Sequence, residues 1–181
     1  MNTLSCLFVA LGGWQRKGLP LILEALSRIR ANGSVQCTLH IAGRAGRGED
    51  FIIAPYKKWV DDGSLVLWGL MKDVTPAYKA ADVLLVASYY EAFSLVMLDA
   101  LKYGLPIIST PVNGSDEMVM HGQNGFVIPH TVEEWVRHLE TLGGDPALRR
   151  KMGEKSQAMS GQFSATQMAK RHEELYNKLL S

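Results

Sequence analysis

Leu4-Ser5-Cys6-Leu7-Phe8-Val9-Ala10-Leu11 is an almost wholly apolar run that stops at Gly12-Gly13. A run this short and this apolar, closed by glycine, reads as a strand covered on both faces, the condition of a parallel sheet packed between helices. Residues 19–31 follow with apolar side chains at helical spacing (Leu19, Ile22, Leu23, Leu26, Ile29), and Gly33 stops them. The alternation continues along the chain. Further strands are expected over 37–42, 64–68, 82–87, 106–110 and 125–128, and helices over 51–60, 74–81, 93–103 and 115–121. From Thr131 the text is helical only. Thr131 with Glu133-Glu134 is a capped start, Asp145-Pro146 opens another helix, and 164–180 forms a last amphipathic one. Strands alternating with helices predict an α/β fold: one doubly wound, parallel, six-stranded Rossmann-like sheet in a single domain over 1–181, with extra helices at the C-terminal end.

Composition narrows the function. With 19 basic and 18 acidic residues the formal charge is +1. That balance speaks against a nucleic-acid partner or a large membrane-binding field. Cys6 and Cys37 both lie in apolar, strand-like text, so they read as buried thiols in a reducing, cytoplasmic setting. No apolar run reaches the length of a membrane span. Residues 1–10 carry no cationic region before their apolar stretch and read as strand, not as a signal peptide.

In a doubly wound sheet, ligands bind at the loops that follow the strands. Those loops are expected at 12–18, 43–50, 69–75, 88–94 and 110–115. The first holds Trp14-Gln15-Arg16-Lys17-Gly18 at the start of a helix. Two adjacent cations there suit a diphosphate, since helix amides and dipole add to the side-chain charge. A solvated basic turn is the plainer alternative. The fourth holds Ser88-Tyr89-Tyr90-Glu91-Ala92-Phe93-Ser94-Leu95-Val96-Met97-Leu98-Asp99. Glu91 is expected in the loop and Asp99 about two turns into the next helix, so the pair could grip hydroxyls at two points of a long ligand. First-turn amides at Phe93, Ser94 and Leu95 suit phosphate or sugar oxygens. Taken alone, the pair reads as a capping acid and an exposed helix acid.

Other patterns carry less. Gly69 to Asp73 and Asn113-Gly114-Ser115-Asp116-Glu117 are ordinary features of such folds. Gly43-Arg44-Ala45-Gly46-Arg47-Gly48 fits neither the dinucleotide fingerprint, whose third glycine would fall at Glu49, nor a P-loop. His40, His121, His130, His138 and His172 show no metal spacing, so no metal is expected. Trp59, Trp68 and Trp135 read as core.

Seven segments in order resemble glycosyltransferase family 4, the retaining group 1 glycosyltransferases of GT-B fold. They are Arg16-Lys17-Gly18, Ile41-Ala42-Gly43, Val66-Leu67-Trp68-Gly69, Ala81-Asp82-Val83-Leu84-Leu85, Glu91-Ala92-Phe93-Ser94 through Asp99-Ala100, Gly104-Leu105-Pro106-Ile107-Ile108-Ser109-Thr110, and Gly122-Gln123-Asn124-Gly125-Phe126. The resemblance runs from Phe8 to about Ile128. It implies the C-terminal, nucleotide-sugar-binding domain of such an enzyme. The residues around Trp14 to Gly18 are similar to the lipopolysaccharide-core glucosyltransferase branch, which implies a part in polysaccharide or lipopolysaccharide synthesis.

The resemblance also implies roles. Arg16 and Lys17 would neutralise the donor diphosphate and its departing nucleoside diphosphate, beside Gly13, Gly18 and Gly43. Glu91 would contact donor-sugar hydroxyls. The amides at Phe93, Ser94 and Leu95 would hold sugar and phosphate oxygens. Asp99 would hold the ribose, and Leu67, Trp68 and Gly69 would line the base pocket. The donor would be a nucleoside-diphosphate hexose, with UDP as the carrier, and no cofactor or metal would be needed. Two positions depart from the family. Asp99 stands where glutamate is usual, and Leu11 where many members carry an arginine, leaving Arg16 as its substitute.

A GT-B enzyme closes two such domains around its substrates, and this length suffices for one. A glycan or lipid acceptor is therefore expected on an absent N-terminal domain, against which the last helices would partly pack, and peripheral membrane attachment stays open. A nucleotide-binding fragment or subunit without turnover of its own is the second reading, and a phosphosugar epimerase of the same architecture the third.

Overall fold

The computed structural model describes residues 3–180. Met1 and Asn2, counted above with the N-terminal strand, and Ser181 lie outside the described residues. Six strands and eight helices alternate as expected: β1 (Leu4–Leu11), α1 (Leu19–Asn32), β2 (Cys37–Arg44), α2 (Lys57–Asp61), β3 (Leu65–Gly69), α3 (Thr75–Lys79), β4 (Val83–Val86), α4 (Leu95–Lys102), β5 (Ile107–Ser109), α5 (Ser115–Met118), β6 (Gly125–Val127), α6 (Val132–Gly144), α7 (Pro146–Ser160) and α8 (Ala165–Leu180). The strands form one sheet in the order β3-β2-β1-β4-β5-β6, and every pair is parallel.

The apolar runs are explained by helices on both faces. Strand side chains point alternately to the two sides. In β1, Leu4, Cys6, Phe8 and Ala10 join the core under α1 and α6, while Leu7 joins the core under α3 and α4. Val83 and Leu85 of β4 face the first core, and Leu84 and Val86 the second. Leu19, Ile22, Leu23, Leu26 and Ile29 of α1 and Trp135, Leu139 and Leu142 of α6 close one layer. Tyr78 of α3 and Met97, Ala100 and Leu101 of α4 close the other. Trp135 is the core residue expected, whereas Trp59 and Trp68 are half-buried at its margin.

Some elements differ from the sequence expectation. The helix expected over 51–60 is two single 3-10 turns, Asp50–Ile52 and Ala54–Tyr56, followed by the short α2. Pro55 lacks an amide proton and its ring clashes with the carbonyl four residues back, so a continuous helix cannot form there. β2 runs two residues further than expected, which puts Gly43 inside the strand. α4 begins at Leu95 and not at Phe93, because Ser94 is extended.

The helices after the sheet divide in two. α7 buries Met152, Gly153, Ser156 and Met159, and the Ser156 hydroxyl donates to the Leu105 carbonyl at 2.8 Å. α8 buries none of its residues, and Met168, Leu175, Tyr176, Leu179 and Leu180 are exposed. The cap read at Asp145 is present: its carboxylate accepts from Leu148 N at 2.9 Å. Asp145→Ala is expected to lower the unfolding free energy by about 1 kcal/mol and Asp145→Ser to restore most of it. Urea titrations of the three chains measure this, and an unchanged midpoint for Asp145→Ala would show the cap to be idle.

Candidate functional site

The strand order reverses between β1 and β4. From β1 the chain crosses outward to β2 and β3, and then returns to build β4, β5 and β6 on the other side. The loops after β1 and β4 therefore part in opposite directions and leave a crevice at the carboxyl ends of these two strands.

The loop after β1 is a tight coil. Lys17 N donates to Gly13 O at 2.7 Å, Gly18 N to Gln15 O at 3.1 Å and Leu19 N to Trp14 O at 3.0 Å. Trp14 is its anchor and not part of a solvated turn: only 3% of it is exposed, and its indole Nε1 has no partner. Gly18 has a left-handed backbone, and a Cβ there would overlap the Ala87 carbonyl at the end of β4. Only glycine lets the start of α1 lie against the neighbouring strand this closely. Pro20 then sets the first turn of α1.

That approach brings the two expected loops into contact. Lys17 Nζ pairs with Glu91 Oε1, and both side chains are largely withdrawn from solvent, at 22% and 11% exposure. The Ser88 hydroxyl donates to the same Oε1 at 2.7 Å. Arg16 Nη1 donates to Tyr90 O at 3.1 Å, and Tyr89 N donates to Arg16 O at 3.0 Å. The far side of the β4 loop is held by Thr110 and by His130, which no motif marked. Ser88 O accepts from Thr110 Oγ1 at 2.6 Å and from His130 Nε2 at 3.0 Å, and the His130 ring stacks on Tyr89 with centroids 4.4 Å apart. His130 was weighed above only as a metal ligand, a question its actual role does not touch.

On α4, Ser94 is the N-cap residue but does not cap. Its hydroxyl makes no cap bond and is buried without any partner. Phe93 and Leu95 on either side are exposed. Asp99 is the fifth residue of α4, one turn in and not two. It is half-buried, and burial holds its carboxyl above the usual range, against a smaller opposite pull from Lys102.

Not every expected residue joins this group. Leu67, Trp68 and Gly69 end the edge strand β3, which β2 separates from β1. Leu67 is 43% exposed, and the half-buried Trp68 donates through Nε1 to His40 Nδ1 at 3.2 Å. Gly43 packs against the backbone of Ala10. Between the loops after β1 and β2 a cavity of about 430 Å³ opens, lined by Leu11, Gly12, Arg44, Arg47 and Asp50 among others. A cavity of about 460 Å³ lies at the amino ends of β1 to β3, but its Arg30 is committed to Asp62 and Ser64 at 2.6 and 2.8 Å. Cys6 is buried, Cys37 is half-buried, and both are free. Among the described residues, no three His, Cys, Asp or Glu side chains form a metal-binding group, and no helix is long and apolar enough to cross a membrane.

Known proteins share this fold. The family model for glycosyl transferases group 1 matches residues 4–145. A D-inositol 3-phosphate glycosyltransferase of Pseudarthrobacter chlorophenolicus is 30% identical over 145 residues, covering 76% of this chain and 34% of that protein. An exopolysaccharide phosphotransferase of Streptomyces coelicolor is 35% identical over 121 residues, covering 65% of this chain and 13% of that protein. The chain thus spans about a third or less of these curated relatives. Among solved structures, the pneumococcal O-GlcNAc transferase GtfA in complex with UDP and GlcNAc superposes with a TM-score of 0.78 at 22% identity, covering 97% of this chain and 36% of that one. Anabaena HepE in complex with UDP and glucose gives 0.78 at 21%, covering 97% and 48%. The fold is the Rossmann-like domain of a GT-B enzyme, and the chain belongs to the group 1 glycosyltransferases.

Proposed function

We propose that this chain is the donor-binding domain of a retaining hexosyltransferase that uses a UDP-sugar. The observation that carries the reading is the bonding of Glu91. Both of its contacts, from Lys17 and from Ser88, fall on Oε1. Among the described residues no hydrogen bond is made to Oε2, which is thus fixed in place by its partner oxygen and able to accept from a sugar hydroxyl. Lys17 has three ammonium protons and spends one on Glu91. The others can meet a diphosphate without breaking the pair.

Each remaining role follows from position. Arg16 and Lys17 supply the positive charge that stabilises the departing nucleoside diphosphate. The unpartnered Ser94 hydroxyl and the first amides of α4 receive phosphate or sugar oxygens, since a helix N-terminus favours anions. Asp99 holds the ribose, and Leu67, Trp68 and Gly69 flank the base from β3. With cations and helix amides present, no metal or cofactor is needed. The bound UDP and sugars named for GtfA and HepE support the donor class. In this reading a glycan or lipid acceptor is bound by an N-terminal domain, to which α8 offers its exposed apolar side chains. The reaction is cytoplasmic, with attachment at a membrane surface through that other domain.

Two measurements test the site. In calorimetric titrations with UDP, Lys17→Ala is expected to weaken binding about tenfold or more, since a hydrogen bond to a charged group contributes about 1.5–3 kcal/mol. Asp99→Ala is expected to weaken it as well. Absence of UDP binding by the unaltered chain, or binding by both variants as tight as that of the unaltered chain, overturns the assignment.

The second uses the burial of Asp99. Its folded carboxyl holds a proton to higher pH than the unfolded one, so ionisation opposes folding as pH rises through and above the ordinary aspartate value of about 3.9. Asp99→Asn removes that cost. The variant is expected to melt above the unaltered chain at pH 7, with the difference closing at about pH 3, where both forms are neutral. A gap that persists unchanged at low pH would assign the effect to packing and not to charge.

A further inference from the structure

The loops after β1 and β2 pack backbone against backbone. A Cβ on Gly12 would lie 3.3 Å from Gly46 Cα, and one on Gly46 would lie 3.2 Å from Gly13 N. The carboxylate of Glu49 fills the seam between them. Its Oε1 accepts from Gln15 N at 3.0 Å and its Oε2 from Gly46 N at 2.7 Å. The amides of Trp14 and Gly13 bear on it too. Burial raises this carboxyl, but the four amides together outweigh that and hold it below the usual glutamate range. Converging backbone amides of this kind form an anion-binding nest, and here the anion belongs to the protein.

The same three residues face both ways, and the 13–14 and 14–15 peptide planes each carry a bond on both sides. The amides of Gly13, Trp14 and Gln15 point to Glu49, while their carbonyls accept from Lys17, Leu19 and Gly18 at 2.7, 3.0 and 3.1 Å. The grip on Glu49 is thus passed by one peptide plane to the backbone of Lys17. We infer that Glu49 is a positioning residue: its ionised carboxylate holds residues 13–15 in the conformation that presents Arg16 and Lys17 to the crevice. The consequence for ligand affinity rests on the donor reading above. The other charged side chains of the two loops are Arg16, Lys17, Arg44, Arg47 and Asp50. Of these only Asp50 is an acid.

The test has two arms on the 181-residue chain. In the first, the backbone amide resonances of Gly13, Trp14, Gln15 and Gly46 are followed by NMR against pH. They are expected to shift together with one midpoint below the ordinary glutamate value of about 4.3, in the unaltered chain and in Asp50→Asn. The shared step is expected to vanish in Glu49→Gln. Independent midpoints, or a step that survives in Glu49→Gln, overturn the inference. In the second arm UDP is titrated. Glu49→Gln is expected to weaken it about tenfold. Gly46→Ala, whose Cβ would displace the Glu49 carboxylate while leaving its charge, is expected to do likewise. In the double variant, Glu49→Gln is expected to add little to Lys17→Ala, because residues acting through one another are not additive. Tighter or unchanged binding by Glu49→Gln, or full additivity, overturns the inference. Failure of the unaltered chain to bind UDP sinks the donor reading alone, and the amide titration then decides whether Glu49 holds the loop.

Discussion

Gly18 has no room for a side chain, and the candidate site depends on that. The left-handed glycine lets the first turn of α1 press on the Ala87 carbonyl, so the loops after β1 and β4 meet across the crevice and do not splay apart. From that contact follow the Lys17–Glu91 pair, the Arg16 bond to Tyr90 and the Tyr89 bond to Arg16. A reversal of strand order supplies the gap. A missing Cβ makes it narrow enough for opposite charges to touch.

The fold was largely legible because its signals are local. Short apolar runs located all six strands, and helical spacing located α1, α4 and α6 within a few residues. Errors came where one residue overrides a pattern: Pro55 breaks an otherwise helical stretch, and Ser94 delays α4 by two residues. The site was legible only in part. Arg16, Lys17 and Glu91 stood out because charges on loops are conspicuous in an apolar fold. Glu49 and His130 did not, because the backbone atoms that tie them to the site, Gln15 N and Ser88 O, are far off in sequence. A carboxylate held by the backbone amides of another loop carries no spacing rule. The cap at Asp145 was readable for the opposite reason, its partner being three residues on.

Polar groups around the crevice are held in ways that cost stability. The Ser94 hydroxyl and the Trp14 indole are buried without partners, and Asp99 is partly withdrawn from water without a cation to compensate fully. A buried donor or acceptor left unpaired costs about 1–3 kcal/mol. A fold selected for stability alone would cap α4 with Ser94, the residue type best suited to it. Here the backbone at Ser94 is in the capping conformation, yet the hydroxyl is turned elsewhere. Trp135 Nε1 is also unpaired, deep under α6, so an unpaired buried group does not by itself mark a site.

Asp99 joins these arguments. Eight positions separate it from Glu91, which would be two turns if the helix began at once. The extended Ser94 removes the first of those turns, so Asp99 lies one turn into α4. An acid nearer the helix start sits closer to the amides that favour an anion. It is also closer to the crevice than one a turn further along. The shorter side chain of an aspartate thus starts nearer the helix N-terminus than the sequence spacing alone implies. Its carboxyl is raised by burial at that first turn, beside a Ser94 whose backbone takes the cap conformation while its hydroxyl makes no cap bond.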